Sequence, residues 1–141
     1  MTTLNGQILG QAERATRAVL DRLLDRAGTD FHGWVLLNLT ADGAEPVPHA
    51  ALAARMAAGL KIGEVEAAAV VERLVGAGLI AGGGDRGLAQ TAAGAELYRR
   101  IGAGVAEVTT RLYGGIPADE LAVAGRVLRL VTVRADAELA A

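Results

Sequence analysis

Apolar residues recur at helical spacing from the start of the chain. Between Leu4 and Ala27 they fall at Leu4, Ile8, Ala12, Ala15, Val19 and Leu23, with Leu9, Leu20 and Leu24 widening the stripe. That pattern predicts one long amphipathic helix, closed by Gly28. Asp30 is placed to cap a second helix, Phe31 to about Leu39, which buries Phe31, Trp34, Val35 and Leu39. Ala41 to Val47, with Gly43 and Pro46, reads as a loop. A third helix runs from His49 to about Ala58 and buries Leu52, Met56 and Leu60, followed by a turn at Gly59-Leu60-Lys61-Ile62. The fourth, Glu64 to Ala77, turns Ala67, Val70, Val71 and Leu74 inward. Gly63 is its N-cap, and Glu66 is spaced to reach back to the cap amide.

The period changes at Gly78-Leu79-Ile80, where an extended strand begins. The stretch AGGGDRGLAQ folds as a short hairpin, its glycines supplying positive φ and Leu88 pointing inward. Thr91 caps a fifth helix, Ala92 to about Tyr113, and Gly114-Gly115 breaks it. Pro117 sits at the first turn of a last helix, through Leu121, Val127, Leu128 and Val131 to the end. The expected class is mainly α with one short β-hairpin.

Composition narrows the function. The chain has 141 residues, enough for one ordinary domain, and is 52% hydrophobic but only 3% aromatic. Its apolar content is mostly Ala, Leu and Val, which suits packed helices. There is no cysteine, so thiol redox sensing, disulfides and thiolate metal sites are excluded. His32 and His49 lie in separate elements without ligand spacing, and no nucleophile–base pair stands out. The run AGGGDRG lacks the Lys and following Ser/Thr of a phosphate-binding loop. An enzyme, a metal site and a cofactor are therefore not expected. The amino terminus has no basic leader, and no stretch approaches the roughly 18 apolar residues of a membrane span, so a soluble cytoplasmic protein is expected.

In order and spacing, Pro48 to Gly94 resembles the winged helix-turn-helix of the MarR family of transcriptional regulators. Leu52-Ala53 matches the start of that family's motif, although Pro48 stands where a hydroxyl N-cap is usual. Gly78-Leu79-Ile80 matches the segment after the recognition helix, and Gln90-Thr91-Ala92-Ala93-Gly94 retains the pattern that opens the next helix. The hairpin has Asp85-Arg86-Gly87 where the family's longer wing carries Asp-Arg-Arg. The resemblance covers essentially the whole length. It implies a winged helix-turn-helix with a short wing, and long terminal helices that interleave in a homodimer. Residues 1–40 would supply a dimerisation helix and the first helix of the DNA-binding lobe, 41–91 the winged motif, and 92–141 the remaining dimerisation helices. The other reading of the apolar terminal helices is an intramolecular bundle without a partner.

On that resemblance the DNA-facing residues are His49, Arg55, Lys61, Gly63, Glu64, Val65, Ala68, Ala69, Arg73, Asp85 and Arg86, presented to a palindromic operator in double-stranded DNA. Arg86 corresponds to the wing arginine that enters the minor groove or grips phosphate; a solvated charge paired with Asp85 is the alternative. Lys and Arg on phosphates supply much of DNA affinity, yet from Asp42 to Thr91 four cations face six carboxylates. Glu64 and Glu66 fit either of two roles: acids favoured by the helix dipole, or acceptors for cytosine N4 in the major groove.

The family also binds small, often aromatic anions between its dimer helices and DNA-binding lobe. The resemblance implies candidates at Arg14, Arg17, His32, Trp34 and Arg111, although Trp34 also fits the core and His32 an exposed surface. The implied function is a dimeric regulator, a repressor relieved by a ligand. The alternative is a winged-helix dimer with weakened DNA binding that holds a protein or ligand.

Overall fold

The computed structural model describes residues 1–83 and 86–141. Its elements are α1 (Gly6–Ala27), α2 (Phe31–Leu39), α3 (His49–Leu60), α4 (Glu64–Gly76), β1 (Ile80–Gly82), β2 (Leu88–Gln90), α5 (Ala92–Tyr113) and α6 (Ala118–Ala140). The chain divides into two compact units, Met1–Ala106 and Glu107–Ala141.

The first unit holds the core. Leu24 of α1, Leu36 and Leu37 of α2, Leu52 and Met56 of α3, Val71 of α4, Ile80 of β1 and Ile101 of α5 are all essentially solvent-free. The helix ends follow capping chemistry. Asn5 is the N-cap of α1, its side-chain oxygen accepting from the Ile8 amide at 2.9 Å, so Leu4 lies before the helix and not in its stripe. Gly28 closes α1 in the left-handed region at φ 83°. Asp30 caps α2 as expected, accepting from the Gly33 amide at 2.9 Å. The core face of α2 differs from the expectation: Leu36 and Leu37 are fully buried, whereas Phe31, Trp34, Val35 and Leu39 are half-buried. A nine-residue helix apolar nearly all round carries no periodicity to identify its inner face.

The turn between α3 and α4 is made by Lys61, which adopts the left-handed conformation at φ 58° although it is not glycine. Its ammonium donates to the Ala58 carbonyl at 2.9 Å. Gly59 belongs to α3. β1 and β2 pair antiparallel, Ile80 opposite Gln90. Val47, expected within a loop, pairs with the wing: its amide donates to the Leu88 carbonyl at 2.9 Å, and the Leu88 amide donates back at 2.7 Å. Pro48 explains this, because the residue before a proline is driven into extended backbone. Gly87, at φ 78°, lies beneath that bridge, where a Cβ would come within 2.7 Å of the Val47 carbonyl carbon.

Thr91 caps α5, accepting from the Gly94 amide at 3.0 Å. In the second unit, α5 ends at Tyr113, Gly115 turns the chain at φ 83°, and Pro117 is the N-cap residue of α6. α6 has no buried residue along its 23 positions. Leu112, Tyr113, Ile116, Val123, Leu130, Val131, Val133 and Leu139 are all exposed.

Candidate nucleic-acid interface

The candidate recognition surface lies on α4. Ala67, Val70, Val71 and Leu74 are its buried residues, and successive residues are rotated by about 100° on a helix. The face opposite that buried stripe therefore carries Val65, Ala69, Glu72 and Gly76, all exposed. Val65 is 87% exposed. Glu64 and Glu66 lie on its flanks in the first turn, where the amide dipoles favour negative charge. Ala68, one turn beyond Glu64, is half-buried, and Gly63 is the extended residue at which the helix begins.

The cations of the lobe are divided in role. Arg73 makes a bidentate ion pair with Asp30: Nη1 donates to Oδ2 at 2.8 Å and Nη2 donates to Oδ1 at 3.0 Å. Arg73 thus ties α4 to the start of α2. The Arg73 hydrogen bond holds the Asp30 carboxyl below its ordinary value of 3.8, outweighing the opposing effect of burial. Asp30 in turn raises the Arg73 guanidinium. Sequence reasoning gives Asp30 a cap and Arg73 a DNA contact, because a pairing across 43 positions leaves no local pattern. Since the Asp30 pKa is depressed on folding, its contribution is present near neutral pH and is lost as pH falls from about 3.8 through the folded value. Asp30→Ala is expected to cost about 1–2 kcal/mol at neutral pH, about 1 from the cap and the rest from a half-exposed pair. Asp30→Asn, which keeps the cap, should cost under about 1 kcal/mol. Urea unfolding at about pH 6 and pH 3 checks both, and the Asn difference should shrink in acid.

His49, in the first turn of α3, and Arg55, one and a half turns later, are exposed, as is Arg86 beside the wing strand β2. Arg55 edges a small cavity of about 310 Å³ that Val47, Pro48 and Ala51 also line. Asp85 lies outside the described residues.

A second cavity, about 590 Å³, opens between α1 and α2, lined by Arg17, Asp21, Arg22, Asp25, Thr29, Asp30, Phe31 and His32. The Arg17 guanidinium sits 3.3 Å above the centre of the Phe31 ring, with Glu13 3.3 Å away along α1. Such a stack contributes about 0.5–1 kcal/mol at an exposed site and fixes the cation's direction. Of the five residues offered for a ligand, this cavity unites Arg17 and His32. Arg14 is exposed on α1 and is absent from the lining, Trp34 stacks on Tyr98 with ring centres 5.4 Å apart, and Arg111 stands in the second unit. Sequence reasoning does not place Phe31, Asp21, Asp25 or Asp30 at a cavity: an aromatic residue after an N-cap reads first as core, and Asp30 reads as the cap itself.

Among the described residues, no three His, Cys, Asp or Glu side chains cluster as a metal site, and no helix is long and apolar enough to cross a membrane. No protein-family model matches the chain, and no curated protein matches it. Solved structures do. The transcriptional regulator PA3341 is 26% identical, with a TM-score of 0.75 over 93% of this chain and 97% of that one. CouR from Rhodococcus jostii RHA1, solved bound to p-coumaroyl-CoA, is 21% identical, with a TM-score of 0.77 over 89% and 90% of the two chains. The Mycobacterium tuberculosis MarR family protein Rv2887, solved in complex with DNA, is 19% identical, with a TM-score of 0.71 over 92% and 98%. These neighbours are transcriptional regulators and not enzymes. The six helices and the two-stranded antiparallel sheet among the described residues match these neighbours, and the likeness covers both chains nearly end to end. The chain is a winged helix-turn-helix protein with the fold of the MarR-family transcriptional regulators.

Proposed function

We propose that the chain is a dimeric DNA-binding repressor, which binds a palindromic operator and releases it when a small aromatic or anionic effector binds. The observation that carries this reading is the outward face of α4, with Val65 bare at its tip, in a fold whose neighbour Rv2887 was solved with DNA. Residues 41–91 act as the reading lobe, while the helices of 1–40 and 92–141 join two copies. An α6 without a buried residue supports the second copy, because isolated helices are marginal in water and an exposed apolar face favours a partner. Two-fold symmetry then sets two recognition helices about 34–36 Å apart, one turn of DNA.

In this arrangement Gly63, the N-cap residue of α4, and Glu64, Val65, Ala68 and Ala69 within it face the major groove, while His49, Arg55, Lys61 and Arg86 meet phosphate or the minor groove. Arg73 acts by holding α4 against α2 through Asp30. The effector would occupy the cavity between α1 and α2, with Arg17 and His32 as its polar contacts. A neighbour bound to p-coumaroyl-CoA supports an effector of some kind. Binding there would alter the spacing of the recognition helices, with a coupling free energy of about 1–3 kcal/mol.

A salt titration on a random duplex tests the reading. With Arg55, Lys61 and Arg86 as the phosphate-neutralising cations of each protomer, log K should fall against log salt with a slope of about −5. Arg86→Ala should lower the steepness by about 2, one contact from each protomer. One observation favours the other reading: the lobe carries more carboxylates than cations. Failure to retain any duplex even at low salt would select that reading, a winged-helix dimer that binds a protein or a ligand.

A further inference from the structure

Resting on the DNA-binding reading, we propose that α4 recognises pyrimidines: Val65, with Ala69 behind it, packs on thymine 5-methyl groups, and Glu64 accepts a hydrogen bond from a cytosine N4 amino group. The argument begins from what the helix lacks. Guanine presents two acceptors, N7 and O6, in the major groove and is read by donors. Along Glu64–Gly76 the side chains are those of Glu, Val, Ala, Arg, Leu and Gly, and the sole donor among them is Arg73. Arg73 is committed to both carboxylate oxygens of Asp30, on the side of the helix facing α2. The outward face thus offers methyl groups and acceptors alone.

Methyl groups and ionised carboxylates complement different bases. The thymine methyl is the apolar feature of the major groove, and cytosine N4 is a donor with no neighbouring N7 to repel a carboxylate. Val65 is 87% exposed, and valine is a poorer helix former than the alanines that follow it. Its side chain therefore adds nothing to local helix stability or to the core, and it projects where a groove-inserted helix meets base edges. Ala69, one turn along the same face, leaves room for Val65 to approach a methyl closely and extends the apolar contact.

The test uses the full-length chain and a pool of random duplexes. After selection, the enriched duplex is remade with deoxyuridine replacing each thymidine in turn, which removes only the methyl. One thymine in each half-site should prove sensitive, with the symmetric double replacement weakening binding about tenfold, as expected for two buried methyl groups. In Val65→Ala the same replacement should cost less than about twofold, the signature of a direct pair in a double-mutant cycle. Glu64→Gln, whose amide adds a donor, should admit guanine at the cytosine position. Val65 is exposed and alanine is the better helix former, so a Val65→Ala protein that melts no lower than the parent separates lost contact from lost fold. A selected site insensitive to deoxyuridine throughout, or a Val65→Ala protein that retains the full penalty, would overturn the inference while leaving DNA binding intact. A pool from which nothing is enriched would remove the DNA-binding reading itself, and this inference with it.

Discussion

Gly94→Ala is expected to destabilise the first unit by about 3 kcal/mol, at the upper end of what overpacking a close contact costs. A Cβ at this position would lie 2.1 Å from the Leu79 carbonyl oxygen and 2.8 Å from Gln90 Cγ. The first of these is backbone and has little freedom to withdraw. It already accepts the Thr91 amide at 3.1 Å, while the Thr91 hydroxyl donates to the Gly78 carbonyl at 2.6 Å and accepts from the Gly94 amide. The start of α5 is thus fastened to the segment between α4 and β1 by a set of bonds that only an unsubstituted Cα permits. Pushing α5 outward breaks them and also strains the β1–β2 pairing, since Leu79 leads directly into β1. For a protein of this size, about 3 kcal/mol corresponds to a fall of roughly 10 °C in Tm. Gly59→Ala is the control. Gly59 lies in α3, and a Cβ added there would meet nothing within 4 Å, so alanine should leave stability unchanged or raise it by up to about 1 kcal/mol. Thermal unfolding followed by circular dichroism compares the two. Equal melting temperatures would show that α5 is not seated this tightly.

The same residues show how far the sequence alone can be read. Where a signal is local, it locates the element: Asp30 and Thr91 as caps, Gly28 and Gly114-Gly115 as stops, and the inner face of α4 from Ala67, Val70, Val71 and Leu74. Where the decisive interaction joins distant positions, local pattern is silent. Nothing near Arg73 in the chain points to Asp30, and nothing near Gly94 points to Leu79 except the matching motif. Val47 is an intermediate case: flanking prolines mark extended backbone, but its partner Leu88 lies on the other side of two helices. Lys61 in the left-handed region runs against the glycine preference, so local pattern ends α3 two residues early, at about Ala58, although the expected turn does contain Lys61. At the candidate interface, the acidic and apolar character of α4 is visible from composition. Helical spacing also puts Val65 and Ala69 on the face away from Ala67, Val70, Val71 and Leu74, whereas the hold of Asp30 on Arg73 requires coordinates.

The other large effect concerns α6. Val123, Val127 and Leu130 stand at i, i+4 and i+7 and so form one stripe, with Val123 52% and Leu130 43% exposed. If this stripe is buried against a second copy, the double variant Val123→Glu/Leu130→Glu removes four apolar side chains from a symmetric interface and places four carboxylates there. At about 1.5 kcal/mol for each lost side chain, the dimer dissociation constant should rise about ten-thousandfold. Sedimentation equilibrium at micromolar concentration should then find a dimer for the parent chain and a monomer for the variant. The variant should also lose helical ellipticity, because α6 without a partner has no buried residue to hold it, whereas the core of the first unit, from Leu24 to Ile101, is untouched by either substitution. Operator affinity should collapse with the dimer, since a single lobe grips only one half-site and loses the gain from linked binding. A parent chain that sediments as a monomer would refute the dimer, and a variant that remains dimeric with full ellipticity would move the interface off this stripe.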